Sequence, residues 1–521
     1  MHPAFRPILM SVTLLALLNG CGTTGSGSSD QSATPVALPP VTEASDEATR
    51  KGEFTYYRDP SERSLEEVDQ LSKTMIGYQP EVALEVIRSL ESIPSGQLQA
   101  MIDDRSEDPE FTEWLELSLL ARTTLINGLS VSAASQRWDD YHYGHAVTRD
   151  NFPELLAQYK ALFPIPAQVA VLLPSEGGLA AASRAIRDGI LSAYLEQPGE
   201  SVIRFYSSGE SSESAMAAYM QAREDGAMQI IGPLRISSTR ALSSIEDQVV
   251  PLLLLNEPAT SLIDNLQQAS IVSSLTLSQT EEAAAIAARA LQQGQKQALV
   301  MVPDSAWGSR IEAAFTSVFE QGNGHIAAVS RFNKAANDQS EMLTQLLWIE
   351  QSKQRKADLQ ALLGVPLTFE ASRRNDFDFI FLAATPAEGR ELKPLLRFHN
   401  AGDVPVYAMG RIFSGSVKRT SDQDLNDIVF PSTPWQLRAS TESITLPASV
   451  RGGSFGNLYA LGQDSWRLLP WIPMMQKDSD LWYPGSIGSL RMQADGRLYR
   501  EPDWAQFSSG RPTPYQWPQA H

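Results

Sequence analysis

Apolar residues recur at helical spacing from about Pro60 to Pro164. Leu65, Val68, Leu71 and Met75 fall on one face, and Leu84, Ile87 and Leu90 repeat the pattern beyond the break at Gly77–Pro80. Phe111, Trp114, Leu115 and Leu119 form another stripe behind an Asp108-Pro109 start, and further segments cover about Val131–Tyr143 and Phe152–Phe163. None of these alternates with the period of two that a half-buried strand requires. The region therefore reads as short, paired helices.

After Ile165-Pro166 the pattern changes. Short β-branched apolar runs alternate with amphipathic helices, the signature of a parallel sheet covered on both faces. The first runs are Gln168–Leu173, Ser201–Tyr206, Met228–Ile231 and Val249–Leu255. A second set comprises Ala298–Val302, His325–Phe332, Asp378–Ala383 and Val404–Met409. Helices are predicted at about Leu179–Glu196, Ser211–Asp225, Gln279–Gln293, Ser305–Gln321 and Ala387–Asn400. Two successive groups of βα units imply two doubly wound lobes, divided near Ser273–Ser278. Ile428 to Phe507 is expected to cross back and complete the first lobe. Within it, Asp495-Gly496 between alternating runs predicts a β-hairpin. The expected domains are a signal at 1–20, a linker at 21–50, a helical domain at 51–165, and a two-lobed domain at 166–521. Its lobes take about 166–275 plus 428–510, and 276–427.

The amino terminus changes the compartment. A positive start at Arg6 precedes an apolar stretch from Ile8 to Leu18, too short for a permanent transmembrane helix, which reads as a secretory signal. Leu18-Asn19-Gly20-Cys21 follows and resembles a bacterial lipobox, in which the small residue before the cysteine permits cleavage and the thiol takes diacylglycerol. Cys21 is the sole cysteine, so no internal disulfide is available and stability must come from packing. Gly22 stands where an aspartate would favour retention in the inner membrane, so the resemblance implies sorting to the outer membrane. Gly22 to Arg50 is rich in small and polar residues and reads as a flexible tether, with a root-mean-square reach of about 30 Å.

Of the 521 residues, 42% are hydrophobic, enough to fill real cores, and wholesale disorder is excluded. The net charge of −19 comes without a basic stripe, which argues against nucleic acid, since phosphate binding needs clustered Lys and Arg. Proteins or small solutes are the expected partners.

The helix pairs resemble tetratricopeptide-type arrays, with a generic helical bundle as the alternative. The two lobes resemble type I periplasmic-binding folds, whose ligands sit between lobes at the carboxyl ends of the strands. That geometry nominates Ser175, Gly177, Gly178, Gly232 and Asn256 in the first lobe, with Ser305, Trp307, Thr385 and Arg411 in the second. Each is equally at home as a turn or helix-cap residue. Catalytic constellations are sparse. The chain has no His-Glu-x-x-His, no P-loop and no Gly-x-Ser-x-Gly elbow, and no lysine lies three residues after a serine. His142 and His145 could share a helix face but lack an evident third metal ligand, so core or surface roles are expected and no metal or cofactor is implied. Asp376 and Asp378 could act as paired carboxylates, although strand-start aspartates more often close the preceding loop.

Three stretches carry a family resemblance. Arg373-Arg374-Asn375-Asp376-Phe377-Asp378-Phe379-Ile380-Phe381-Leu382-Ala383-Ala384 with Gly389-Arg390 and Pro394-Leu395-Leu396 is one. Ala460-Leu461-Gly462-Gln463-Asp464-Ser465 is the second. Gly488-Ser489-Leu490 through Asp495–Arg500 to Trp504-Ala505-Gln506-Phe507 is the third. Together they resemble the LpoA (LppC) family of penicillin-binding-protein activators. The resemblance implies an outer-membrane lipoprotein, lipidated at Cys21, with a helical repeat domain followed by a two-lobed binding-protein-like domain. It implies docking on a class A bifunctional penicillin-binding protein and regulation of peptidoglycan synthesis without catalysis, and leaves peptidoglycan open as a further partner. Two alternatives stand beside it: a solute receptor for an amino acid, sugar or wall fragment, and a wall hydrolase resting on Asp376 and Asp378.

Overall fold

The computed structural model describes residues 59–104, 108–258, 271–333, 339–441, 447–450, 453 and 455–518. It opens with six α-helices: α1 (Leu65–Lys73), α2 (Pro80–Ser89), α3 (Ser95–Asp104), α4 (Pro109–Ile126), α5 (Val131–Tyr141) and α6 (Phe152–Ala161). Their starts follow from local chemistry. Ser64 and Glu67 form a reciprocal capping box on α1, and the Asp108 carboxylate accepts from Glu110 N–H ahead of Pro109 in the first turn of α4. The aromatic stripe lands inside, with Phe111, Trp114 and Leu115 all buried.

Two sheets follow. The first holds β1 (Gln168–Leu173), β2 (Val202–Ser207), β3 (Gln229–Ile231), β4 (Leu252–Leu254), β5 (Val272–Leu275), β11 (Tyr483–Pro484), β12 (Ser489–Met492) and β13 (Arg497–Glu501), in the order β11-β12-β13-β5-β4-β3-β1-β2. The second holds β6 (Gln297–Pro303), β7 (His325–Phe332), β8 (Phe379–Leu382), β9 (Val406–Ala408), β10 (Ile428–Ser432), β14 (Asp503–Ser508) and β15 (Arg511–Pro514), in the order β15-β14-β10-β9-β8-β6-β7. Strands β1–β5 and β6–β10 pair in parallel, the central ones as continuous buried apolar runs; β13 joins β5 in parallel, and β12, β11, β14 and β15 add antiparallel pairs at the edges.

Helices cover both sheets. They are α7 (Ala180–Glu196), α8 (Ser212–Glu224), α9 (Ile236–Ser243), α10 (Gln279–Gln292), α11 (Ala306–Gln321), α12 (Ser340–Leu346), α13 (Ile349–Leu363), α14 (Pro386–Phe398), α15 (Pro434–Thr441), α16 (Gly456–Arg467) and α17 (Ile472–Lys477). The architecture is thus a helical region followed by a two-lobed α/β arrangement, as the hydrophobic pattern predicts.

The lobe boundaries differ from the sequence reading. That reading sends 428–510 wholly to the first lobe, whereas β10 and β14 within it pair in the second sheet, where β15 follows them. β10 continues the parallel ladder from β9, with Ile428 opposite Val406, and β14 lies antiparallel on β10. Periodicity identifies a buried strand but not the sheet it joins. The chain therefore passes between lobes three times: from β5 to α10, from β10 toward α16, and from Glu501 to Asp503.

The helical region is not a separate bead. Val68, Ile87, Phe111, Trp138 and Tyr159 belong to one continuous buried cluster with Val171, Ile186, Leu253, Trp466 and Leu490 of the first lobe. Within that junction Arg122 of α4 meets Asp478, just beyond α17, at 2.9 Å, and both side chains are 1% exposed. Ser95 N–H also donates to Asp478, Arg122 donates to the Ile93 carbonyl, and Lys477 pairs with Glu91 at 3.0 Å.

Candidate functional site: the inter-lobe cleft

A cleft of about 400 Å³ opens where the carboxyl ends of β8, β9 and β10 face the first lobe. Thr385, Arg411, Ser432 and Thr433 contribute from the second-lobe strand ends, Gln279 and Glu282 from α10, and Gln436 from α15. Arg500 on β13 and Asn457 on α16 reach it from the first-lobe side.

Glu282 organises its floor. Gly410 N–H donates to one carboxylate oxygen at 2.7 Å, and the other oxygen lies 3.8 Å from the Arg500 guanidinium. Arg500 is 7% exposed and also donates to the Ile487 carbonyl. Burial pushes the Glu282 carboxyl above the usual carboxylate range, against the opposing pull of Arg500, the Gly410 N–H and Arg411. A second bridge between lobes joins Arg289 to Glu501 at 3.0 Å.

At the mouth the Arg411 guanidinium lies 4.3 Å from the Trp307 ring centroid, and the Trp307 indole N–H donates to Gln279 at 2.7 Å. Arg411 is exposed and makes no hydrogen bond or ion pair among the described residues.

Of the nine residues nominated from sequence, Thr385 and Arg411 line this cleft and Trp307 supports Arg411. Ser305 caps α11 by accepting from Gly308 N–H. The first-lobe five are not among the lining residues. Ser175 shares a 2.8 Å hydrogen bond with Ser207, and Gly177 and Gly178 form the turn before α7. Gly232 sits at φ +100°, where a Cβ would come within 2.2 Å of the Leu172 carbonyl oxygen. Asn256 ties its own loop, donating to Leu234 and accepting from Glu257. Sequence reasoning passed over Glu282, Gln436, Asn457 and Arg500. Glu282 looks like an ordinary first-turn acid, and Arg500 sat unremarked inside the third family-like stretch. Cys21 lies outside the described residues.

The other candidates resolve into structure. Asp376 accepts both arms of Arg374, at 2.6 and 2.7 Å, and Arg374 stacks 4.0 Å from the Trp348 ring. Asp378 accepts from Lys296 and Gln297 N–H, tying the start of β8 to that of β6. The two carboxylates therefore serve different joints. His142 stacks on Trp138 and pairs with Glu116 at 2.8 Å. His145 is buried between Trp114 and Trp138, and that burial pushes its pKa down to about 4.

The stretch Ala460–Ser465 of α16 is buried all round: Gly462 faces α7, and Asp464 faces the Ser486–Ile487 turn. Glycine is required at the crossing: a Cβ on Gly462 would fall 2.1 Å from the Ile186 carbonyl oxygen, and one on Gly189 would fall 2.0 Å from that of Tyr459. Asp464, fully buried, accepts from Ser486 and Ile487 N–H, and burial pushes its carboxyl up to about 6.

The family model for LppC lipoproteins matches residues 67–510. A penicillin-binding protein activator LpoA of Photobacterium profundum is 25% identical over 440 residues, covering 82% of this chain and 70% of that protein. One from Vibrio vulnificus is 23% identical over 470 residues, covering 88% and 76%. Among solved structures, full-length LpoA of Haemophilus influenzae shares the fold, with a TM-score of 0.53 at 19% identity over 87% of this chain and 78% of that one.

Proposed function

The chain belongs to the LppC family of lipoproteins, and from that premise we propose that it is a noncatalytic regulator. In this reading it is anchored in the outer membrane through Cys21 and binds a class A bifunctional penicillin-binding protein, raising that enzyme's peptidoglycan-synthesising activity. The observation that carries the reading is the similarity to proteins named penicillin-binding protein activators over four-fifths or more of this chain.

Physical features support it. No helix among the described residues is long and apolar enough to cross a membrane, so attachment through lipid on Cys21 fits the signal and the small-residue stretch that follows it. The shared core and the Arg122–Asp478 pair make the helical region and first lobe one rigid platform. A rigid platform can transmit binding energy, and activation requires binding the enzyme's active state more tightly than its resting state. A tenfold shift of that equilibrium needs about 1.4 kcal/mol of differential affinity. The net charge of −19 suits a basic partner surface and would speed encounter more than strengthen it.

The test is recovery from cells. The wild-type chain should incorporate palmitate, fractionate with outer membrane, and co-purify a protein that takes up labelled penicillin. Cys21→Ala should lose the palmitate and the fractionation. No labelled penicillin binder on the wild-type chain would defeat the proposal.

A further inference from the structure

Arg411 is the one cleft arginine without a contact ion pair among the described residues, although its charge reaches the Glu282 carboxylate, and its surroundings specify what would complete it. The cleft sets two guanidinium groups, Arg411 and Arg500, around the single carboxylate of Glu282, in a protein whose overall charge is −19. One oxygen of that carboxylate accepts from Gly410 N–H, and the other lies 3.8 Å from Arg500, an ion pair without a hydrogen bond. A ligand ammonium would have to compete with two guanidinium groups for the only carboxylate among the described lining residues, which disfavours an ordinary amino-acid zwitterion. Hydrogen-bond donors are in surplus. Gln436, 7% exposed, accepts on its amide oxygen from Ser432, and Asn457 accepts from Thr433, so the amide nitrogens of both make no hydrogen bond among the described residues. The volume, about 400 Å³, lies toward the lower end of the range for small-molecule sites.

We propose that this cleft binds a small oxyanion on a hydroxylated, acceptor-rich body, of the size of a single sugar acid or sugar phosphate. Arg411 is its counter-ion, and the Gln436 and Asn457 amides donate to its oxygens. Trp307, held by Gln279, lies against the guanidinium and limits its freedom at the mouth of the cleft. The inference rests on the cleft alone, so it stands or falls independently of any effect on a synthase.

Titration calorimetry on the full chain tests it with four probes: N-acetylmuramic acid, glucose 1-phosphate, N-acetylglucosamine and leucine. The expected result is binding of at least one of the two acids, at least tenfold weaker binding of both the neutral sugar and leucine, and weakening of the acid as salt is raised. Whether the carboxylate or the phosphate probe binds identifies the source of the anion. Arg411→Ala should weaken the acid tenfold or more. Arg411→Lys, which keeps the charge but not the planar stack, should fall between. Arg411 is exposed and its described contact is the Trp307 ring, so either change should lower the melting temperature only slightly, and a cooperative melt serves as the folding control. Absence of binding by either acid at millimolar concentration, equal binding of the neutral sugar, or an Arg411→Ala variant that binds as well as wild type would each overturn the proposal.

Discussion

Asp478 and Arg122 stand 356 residues apart in sequence and share a joint from which water is excluded. Breaking such a pair leaves an unpaired buried charge, which costs about 3–5 kcal/mol, whereas replacing both partners with apolar groups can be nearly neutral. Asp478→Ala should therefore lose about 3–5 kcal/mol in denaturant unfolding. Arg122→Met with Asp478→Leu should lose distinctly less than the sum of the single changes, and strict additivity would refute the coupling. His145 gives a pH signature. Its pKa falls from the ordinary 6.5 to about 4 on folding, because burial disfavours the charged ring. Between those values the unfolded chain binds the extra proton, so this contribution is complete above about 6.5 and disappears as pH falls toward 4. It amounts to something on the order of 3 kcal/mol at about 1.4 kcal/mol per unit. His145→Asn preserves an acceptor for Val147 N–H and should flatten the stability difference between pH 4 and 6.5, measured relative to wild type. Asp464 contributes with the opposite slope, so the difference between the two proteins is the quantity to read.

Among the elements, the crossing of α7 and α16 shows why one family-like stretch has the composition it has. On an exposed helix Gly→Ala gains about 1 kcal/mol from propensity. At Gly462 the added methyl would strike the backbone of α7, so Gly462→Ala should lower the melting temperature, and a rise would show that the helices are not packed this closely. Element identity was largely legible in the sequence. The predicted helix at Leu179–Glu196 is observed as Ala180–Glu196, and the run Gln168–Leu173 is β1 itself. Both are long or fully buried enough to leave a periodic or continuous apolar signal. By contrast, α13 buries only Ile349 and Ser352 and leaves no stripe for periodicity to detect. The placement of β10 and β14 depends on pairing between distant segments, and local pattern does not encode it. The same limit governs the cleft. Thr385 and Arg411 follow from strand ends, while Glu282 and Arg500 acquire meaning only when α10 and β13 are brought together.

Across the whole molecule, the helical region and the first lobe share a core, the second lobe is joined to them by three chain passages, and Arg289–Glu501 and Glu282–Arg500 bridge the lobes. Such a body can present a fixed surface to a protein partner. The central claim is that this surface makes a synthase faster, and it is measured most directly by adding the purified chain to a bifunctional penicillin-binding protein and following glycan polymerisation and peptide cross-linking together. The account predicts a saturable rise in one or both rates, reached at the concentration where binding saturates. Unchanged rates with the enzyme fully bound, or no binding at all, would contradict it.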